Sequence, residues 1–146
     1  MSLGQYFLLN ETFVQKKFFK FWFPVILYSV IIFGVSSIPN LKAPLEQLSF
    51  DKLIHAVEYM VLGILFARAF MNTRPSVANK IAFSLVVLFC FFYGFSDEFH
   101  QSFVAGRVAS FWDLVADTIG GCIGGWLYIS WRDNNPSWTF LAKRQP

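Results

Sequence analysis

Apolar residues in this chain form four long, nearly uninterrupted stretches, and polar residues gather in the segments between them. Each stretch approaches the length of about 20 residues that a helix needs to cross the hydrocarbon core of a bilayer. Pro24 stands near the start of the first stretch, where its missing N–H costs least. The pattern predicts an all-α fold, a polytopic membrane protein built as a bundle of four transmembrane helices. The predicted spans are residues 21–38, 52–70, 80–96 and 114–131.

The segment that precedes the first span mixes lysines with aromatic residues. Its lysines follow the apolar residues instead of preceding them, which is the reverse of a signal peptide. Such a mixture is typical of an amphipathic helix that lies at the membrane surface and leads into the bilayer. The chain is therefore divided into a cytoplasmic-side amphipathic N-terminal segment (1–20), a four-helix transmembrane domain (21–131) and a cytoplasmic tail (132–146).

The amino-acid composition supports a membrane protein and excludes several other classes of protein. Of the 146 residues, 55% are hydrophobic and only 14% are charged, whereas about 25% are charged in ordinary soluble domains. A soluble monomer of this size has too little interior to hide so much apolar surface, and disorder is excluded by the same composition. The net charge of +3, without a basic stripe, excludes a nucleic-acid-binding module. Both cysteines lie inside apolar stretches, so no disulfide framework is indicated.

Charge distribution gives the predicted orientation. Nine Lys and Arg residues fall on the same side as the two termini, and three fall on the other side. Because basic residues favour the cytoplasmic side, both termini are predicted to be cytoplasmic. Two acidic residues lie inside and seven lie outside, so the charges are +7 and −4, in agreement with the net charge of +3. Acidic residues have little effect on topology, and the outer ones need another explanation.

The second span begins with a polar face. Asp51, His55, Glu58 and Tyr59 recur at helical spacing and share one side of the helix. Glu58 lies seven residues beyond Asp51, which is roughly 10 Å deeper along the helix. A carboxylate at that depth is costly unless it is protonated, paired or facing water, so Glu58 is the first candidate catalytic residue. With carboxylates on its face, His55 is a second candidate, for proton transfer.

The third and fourth spans add further polar residues at the same predicted end. Asp97 and Glu98 are adjacent, so at most one of them is expected to face a cavity fully, and either could be that one. Gln101 is expected to bond a carboxylate or a loop carbonyl, and His100 is expected at the surface. Residues 107, 110, 113 and 117 follow at spacings that would align them on a helix, and Gly106 offers a turn before them.

Alternatives remain open for several of these side chains. Arg107 either forms a structural ion pair with Asp113 or binds a ligand phosphate or carboxylate as a fork donor. Lys52 either reaches the interface or makes a second contact with an anion, and Tyr59 is either core or part of the site. The candidate catalytic residues are Glu58, His55 and Glu98. The candidate substrate-binding residues are Arg107, Lys52, Asp51, Tyr59, Asp97, Gln101, Ser110, Asp113 and Asp117.

The same carboxylates and imidazole are of the types that bind divalent metals. No dedicated spacing such as His-Glu-x-x-His occurs in the chain, however. The sequence therefore predicts neither a metal site nor a cofactor, with a divalent metal as the less favoured alternative.

In order and spacing, the polar strings resemble those of the VanZ-like family of bacterial integral membrane proteins. The resemblance extends over about residues 36–125, with Ala105 where the family often has Pro and Asp117 where it often has Asn. It implies a multi-pass protein of the bacterial cytoplasmic membrane and a link to low-level resistance to the glycopeptide teicoplanin. It implies no reaction. The matching positions are Ser36–Pro39, Asp51, Lys52, His55, Tyr59, Leu62, Gly63, Asp97, Glu98, Gln101, Gly106, Arg107, Ser110, Asp113, Asp117 and Gly120.

Three functions remain open for a polar, mixed-charge pocket facing outward. The chain is an enzyme acting on a lipid-linked or anionic cell-envelope molecule, a binding or shielding protein without chemistry, or a proton-coupled transporter. The expected partners are membrane lipids, lipid-linked envelope precursors or a lipoglycopeptide, and no nucleic acid. The paired glycines of the fourth span are expected to pack within one chain, as a monomer or weak homo-oligomer.

Overall fold

A computed structural model describes residues 15–39 and 50–135. This part of the chain is helical and contains no strand. Apolar side chains at helical spacing, with breaks at Ser37–Pro39 and around Pro75, set where the helices begin and end. The helices are α1 (Phe23–Ser36), preceded by a π-helical turn at Phe18–Trp22, then α2 (Asp51–Thr73), α3 (Asn79–Gln101) and α4 (Phe111–Asn134).

Three helical segments are long and apolar enough to cross a membrane: Gln15–Ser36, Asp51–Thr73 and Asn79–Gln101. They correspond to the first three predicted spans, and the protein is a helical membrane protein. The fourth predicted span coincides with α4, which contains four glycines and three aspartates and is not one of these three segments. The predicted amphipathic segment falls mostly on residues 1–14, outside the described residues.

The π-helical turn lies directly before Pro24, and the two features are connected. Proline has no N–H, so the carbonyl of Lys20, four residues earlier, loses its normal helical donor. Arg68 of α2 donates to that carbonyl through Nη1 at 3.3 Å, and its guanidinium lies 5.1 Å from the ring centroid of Phe21. Arg68 therefore fastens the start of the first helical segment to α2.

Helix α4 packs between α2 and α3, and its glycines make this possible. A Cβ at Gly120 or Gly124 would overlap the backbone carbonyl of Ala56 or Met60 in α2. On the neighbouring side of α4, Gly121 and Gly125 pack against Cys90 and Val86 of α3. The small-xxx-small pattern thus packs helices of a single chain, as the sequence predicts.

The apolar interior is small, and much of the apolar surface faces outward. Tyr59, Leu62, Val86 and Cys90 form the centre of the main core cluster. Phe66 and Phe89 stack beside it with centroids 4.3 Å apart. Many large hydrophobic side chains of all four helices are exposed, which is the arrangement expected of a bundle surrounded by lipid.

Each helix runs antiparallel to the next one along the chain, so the bundle has two distinct ends. At the polar end, α1 and α3 finish while α2 and α4 begin, and Ser36 bonds Asp97 there. At the distal end, Asn72 Nδ2 donates to the hydroxyl of Tyr128 at 2.9 Å. The polar end contains the residues that the sequence analysis singles out.

Candidate functional site at the polar end

Burial separates the polar end from the rest of the described chain. All the buried polar or charged residues of the described segments lie there. Burying charged groups in an apolar bundle is costly unless they are hydrogen-bonded or paired, and such groups in membrane proteins mark functional sites by default. These residues are Ser36, His55, Asp97, Glu98, Gln101, Asp113 and Asp117.

His55 occupies the centre of this cluster. Its Nδ1 lies 2.9 Å from Oδ1 of Asp117, a residue with no exposed surface. Because an ionised carboxylate only accepts, Nδ1 donates, and a neutral His55 then has its lone pair on Nε2. Nε2 is 3.9 Å from Asp51 Oδ1 and 3.8 Å from Asp113 Oδ2, beyond hydrogen-bonding distance. The Asp117–His55 bond therefore fixes the ring and directs a basic nitrogen toward other carboxylates.

Lys52 is paired with a buried carboxylate. Its Nζ lies 3.2 Å from Asp113 Oδ1, and the side chain is 55% exposed. Asp113 is held at the start of α4, where its backbone N–H donates to the N-cap side chain of Ser110 at 3.3 Å. Lys52 therefore contacts the buried cluster while part of its side chain is exposed at the surface of the bundle.

Asp97 and Glu98 are both buried, at 3% and 6% exposure, although they are adjacent on α3. Adjacent helical residues point about 100° apart, and α3 has a neighbour in both directions. Asp97 accepts from the hydroxyl of Ser36 in α1 at 2.8 Å. Glu98 accepts from the backbone N–H of Ser110, at the start of α4, at 2.7 Å.

Gln101 connects the two carboxylates. Its Nε2 donates to Asp97 Oδ2 at 2.9 Å and lies 3.4 Å from Glu98 Oε1. The prediction that Gln101 bonds a carboxylate is confirmed. The carbonyl oxygen of the same amide is buried without a hydrogen-bond partner in the described part of the chain.

Arg107 fastens the connection between α3 and α4 to the end of α1. The turn before it contains Gly106 with φ of 75°, a left-handed conformation that glycine adopts without steric cost. Its guanidinium donates to the carbonyls of Ile38 at 3.2 Å and Val35 at 2.9 Å. Asp113 has Lys52 as an ion-pair partner, so the Arg107–Asp113 ion pair, one of the two alternatives, is not the arrangement found.

The contribution of α1 to the polar end is not among the site residues predicted from the sequence. Ser36 bonds Asp97, and Ser37 donates to the carbonyl of Phe33 at 2.7 Å. Since that hydroxyl has one proton, Ser37 accepts from Nε2 of His100 at 3.0 Å. His100 is half-buried, with its ring centroid 4.2 Å from that of Phe33, so this partly exposed residue also contacts α1. The polar end of the first span, next to the helix break, is the signal that indicates these serines.

Glu58 and Tyr59 lie deeper along α2 than His55. Tyr59 is fully buried, with its ring 6.1 Å from that of Tyr93. Its hydroxyl has no hydrogen-bond partner among the residues that the structure describes. Glu58 is half-buried. Both residues border the cluster from the side of the bundle interior.

Two groups in the described chain have metal-ligand character. Asp51, His55 and Asp113 form one group, and His55, Glu98 and Asp117 form the other, with ligand atoms within 4.8 Å of one another in each. Because each group joins side chains from at least two helices, local spacing in the sequence alone could not reveal a complete group.

A family model described as VanZ/LLP1 matches residues 3–132 of the chain. Comparison with curated proteins and with solved structures gives no match. The family match includes every residue of the polar end discussed above, and it confirms the resemblance that the sequence strings indicate. The chain belongs to the VanZ/LLP1 family.

Proposed function

We propose that the protein spans the bacterial cytoplasmic membrane four times, with its polar end facing outward and both termini in the cytoplasm. The 24 residues of α4 give a length of about 36 Å, enough for a hydrocarbon core of about 30 Å. Its glycine contacts hold it alongside α2, one of the three long apolar helices. The distribution of Lys and Arg supports the orientation.

At this outward end, we propose, the protein acts on an anionic, lipid-linked molecule of the cell envelope by proton transfer. The observation that carries the proposal is the buried Asp117–His55 hydrogen bond of 2.9 Å. A carboxylate that fixes a histidine in one orientation prepares the second ring nitrogen to accept a proton. His55 Nε2 takes the proton of a hydroxyl or water as its oxygen bonds to phosphorus of the anionic headgroup. The bond from phosphorus to the leaving oxygen breaks, and a protonated Glu98 or Glu58 gives its proton to that oxygen.

Lys52 and Arg107 would hold the anionic headgroup. Lys52 is exposed enough to contact a ligand while it remains next to Asp113. Arg107 lies at the mouth of the cluster, where its backbone contacts orient the guanidinium. Asp51, Tyr59, Asp97, Gln101 and Ser110 line or support the same region.

An apolar groove between α1 and α3 suits the lipid part of such a molecule. It has a volume of about 450 Å³ and runs along α1 from Trp22 to Phe33, with Phe89 and Tyr93 on the facing helix. The ring of Phe33 contacts that of His100, with the centroids 4.2 Å apart, so the groove ends beside the polar end. A lipid chain in the groove would place its headgroup close to the cluster.

Reconstitution with lipid-linked substrates tests this proposal. Proteoliposomes are incubated with polyprenyl diphosphate-linked envelope precursors, and products are identified by mass spectrometry. We expect turnover by the wild type and its loss in His55→Gln and Glu58→Gln. Asp133→Asn, at the distal end, is the matched control and should retain full turnover. Normal turnover in His55→Gln would refute the assigned role of the histidine.

A non-catalytic binding or shielding protein is the second candidate. It is favoured by the number of bonds that the polar groups make with one another, such as Ser36 with Asp97 and Lys52 with Asp113. This candidate predicts thermal stabilisation by lipid-linked precursors or by teicoplanin without any product. Expression in a sensitive bacterium should then lower teicoplanin susceptibility in the wild type and in His55→Gln alike.

Proton-coupled transport has less support. The buried polar and charged side chains of the described segments are confined to one end of the bundle. A proton relay across the membrane needs titratable or hydrogen-bonding groups along its whole path. Flux in proteoliposomes that responds to a pH gradient would favour this third function over the other two.

A further inference from the structure

Three buried side chains, one from each of three helices, meet at the centre of the polar end. His55 of α2, Glu98 of α3 and Asp117 of α4 each offer a ligand atom, and these atoms lie within 4.8 Å of one another. Without an ion, His55 Nδ1 donates to Asp117 Oδ1 at 2.9 Å, and a bound cation would displace that proton. Neighbouring ligands around a metal with bonds of about 2.1 Å are separated by about 3 Å, so the spacing suits a small cation.

An independent observation comes from the hydrogen bonds around this group. In the described part of the chain, Asp117 Oδ2, Asp97 Oδ1 and Gln101 Oε1 are buried without a hydrogen-bond partner. All three are carbonyl or carboxylate oxygens, which only accept. Asp117 is itself one of the three side chains, and the Gln101 amide touches Glu98. Among the described residues, these three oxygens have no positive or donating group to bond, and a cation meets that requirement.

The rival group of Asp51, His55 and Asp113 fits a cation less well. Asp113 already has the ammonium of Lys52 at 3.2 Å. A metal ion there would stand beside this positive charge, and the two would repel. The group of His55, Glu98 and Asp117 is the more deeply buried one and contains an oxygen without a donor.

We propose that His55, Glu98 and Asp117 bind one divalent transition-metal ion, Zn²⁺ or Mn²⁺. Two carboxylates balance the charge of a divalent ion, and the imidazole favours these metals over Mg²⁺ and Ca²⁺. The ion joins α2, α3 and α4, and its charge offsets the carboxylates that would otherwise repel an anionic headgroup. The proposal concerns the same end of the bundle but does not rest on the proton-transfer role, because the ion binds without substrate. While the ion is bound, His55 is a ligand and does not accept a proton.

Metal binding by the purified full-length chain tests the proposal directly. The protein in detergent is stripped with a chelator, incubated with Zn²⁺, Mn²⁺, Mg²⁺ or Ca²⁺ separately, and desalted. Elemental analysis should find about one Zn²⁺ or Mn²⁺ per chain, and thermal unfolding should shift to higher temperature with the same ions. No retained ion with no thermal shift, or a preference for Mg²⁺ or Ca²⁺, would overturn it.

Three variants locate the ion. Asp117→Asn and Glu98→Gln preserve side-chain shape and should each lower metal affinity by more than about tenfold. Asp51→Asn, which alters only the rival group, should bind like the wild type. Loss of binding in Asp51→Asn with wild-type binding in Glu98→Gln would contradict the assignment, and Glu98→Gln decides if Asp117→Asn does not fold. No lipid substrate is used, so this result is independent of the turnover assay.

Discussion

Polar residues terminate the apolar helices at both ends of the bundle, but they are arranged differently at the two ends. At the distal end, polar side chains stay half-buried or exposed and form simple pairs, such as Asn72 with Tyr128 and Asn79 with Asp133. At the polar end, carboxylates and a histidine are buried together and bonded across α1, α2, α3 and α4. Exposed or half-buried polar pairs, as at the distal end, are sufficient to end a helix.

The difference indicates that the polar end has a role in addition to folding. Buried charged groups are costly in an apolar setting, and polar pairs like those of the distal end avoid the cost. Both ends use an arginine to bond backbone carbonyls, Arg68 at the distal end and Arg107 at the polar end. Arginine contacts are therefore common to both ends, while the buried Asp117–His55 pair is found at the polar end.

The largest loss of stability is expected from a substitution where α4 packs against α2, since this contact connects the two ends of the bundle. Gly124→Leu would drive a side chain into the carbonyl of Met60 and should cost at least about 2 kcal/mol or prevent folding. Gly34→Leu is the matched control, because no atom lies within 4 Å of a Cβ at that position. Unfolding in mixed micelles compares the two. Equal stability of both variants would contradict the packing of α4 against α2.

The next largest effect concerns activity and separates the two ends. His55→Gln keeps a donor for Asp117 but removes the basic nitrogen, so turnover of a lipid-linked substrate should fall by about 10² to 10⁴. The distal variant Asn72→Ala loses its bond to Tyr128 and should retain turnover. Steady-state assays in proteoliposomes measure both. A comparable loss in Asn72→Ala would remove the functional distinction between the ends.

A smaller loss of stability is expected from removing the arginine that bonds backbone carbonyls at each end. Arg107→Ala loses two bonds to carbonyls of residues 35 and 38, and Arg68→Ala loses one bond to Lys20. Because these contacts are partly exposed, we expect losses of about 1 kcal/mol, with the larger one for Arg107→Ala. Chemical unfolding provides the free energies. A larger loss for Arg68→Ala would show that the π-helical turn depends more strongly on its arginine.

The smallest effect is predicted for the exposed distal pair. Asp133 accepts from Asn79 at 2.7 Å in an exposed setting. Removing its charge in Asp133→Asn should change the free energy of unfolding by less than about 0.5 kcal/mol and leave turnover unaltered. The same unfolding and turnover assays suffice. A large change in either would mean that the distal end has a function of its own.

Much of the fold follows from the sequence because it depends on local patterns. Apolar stretches predict the positions of the helices, and the paired glycines predict the close packing of α4. Helix α4 is not among the three long apolar segments, and the glycines that allow its close packing are less apolar than leucine or valine. Helix α3 continues beyond the predicted span as far as Gln101, whose amide donates to Asp97 of the same helix.

The site is only partly predictable, because its geometry depends on contacts between helices. Helical spacing places Asp51 and His55 on one face, and the polar strings indicate which residues gather at one end. The pairing of His55 with Asp117 and of Ser36 with Asp97 joins residues 62 and 61 positions apart. Local spacing contains no information about such pairs, and the burial of both Asp97 and Glu98 likewise depends on neighbours in space.

The chain contains two histidines, and their NMR signals test the central claim most directly. The protein is labelled with ¹⁵N-histidine in nanodiscs and titrated with a polyprenyl phosphate. If the polar end receives the headgroup at the Asp117–His55 pair, the ring signals of His55 should shift while those of His100, bonded to Ser37, change little. Unchanged His55 signals at saturating ligand, or shifts confined to His100, would contradict the account.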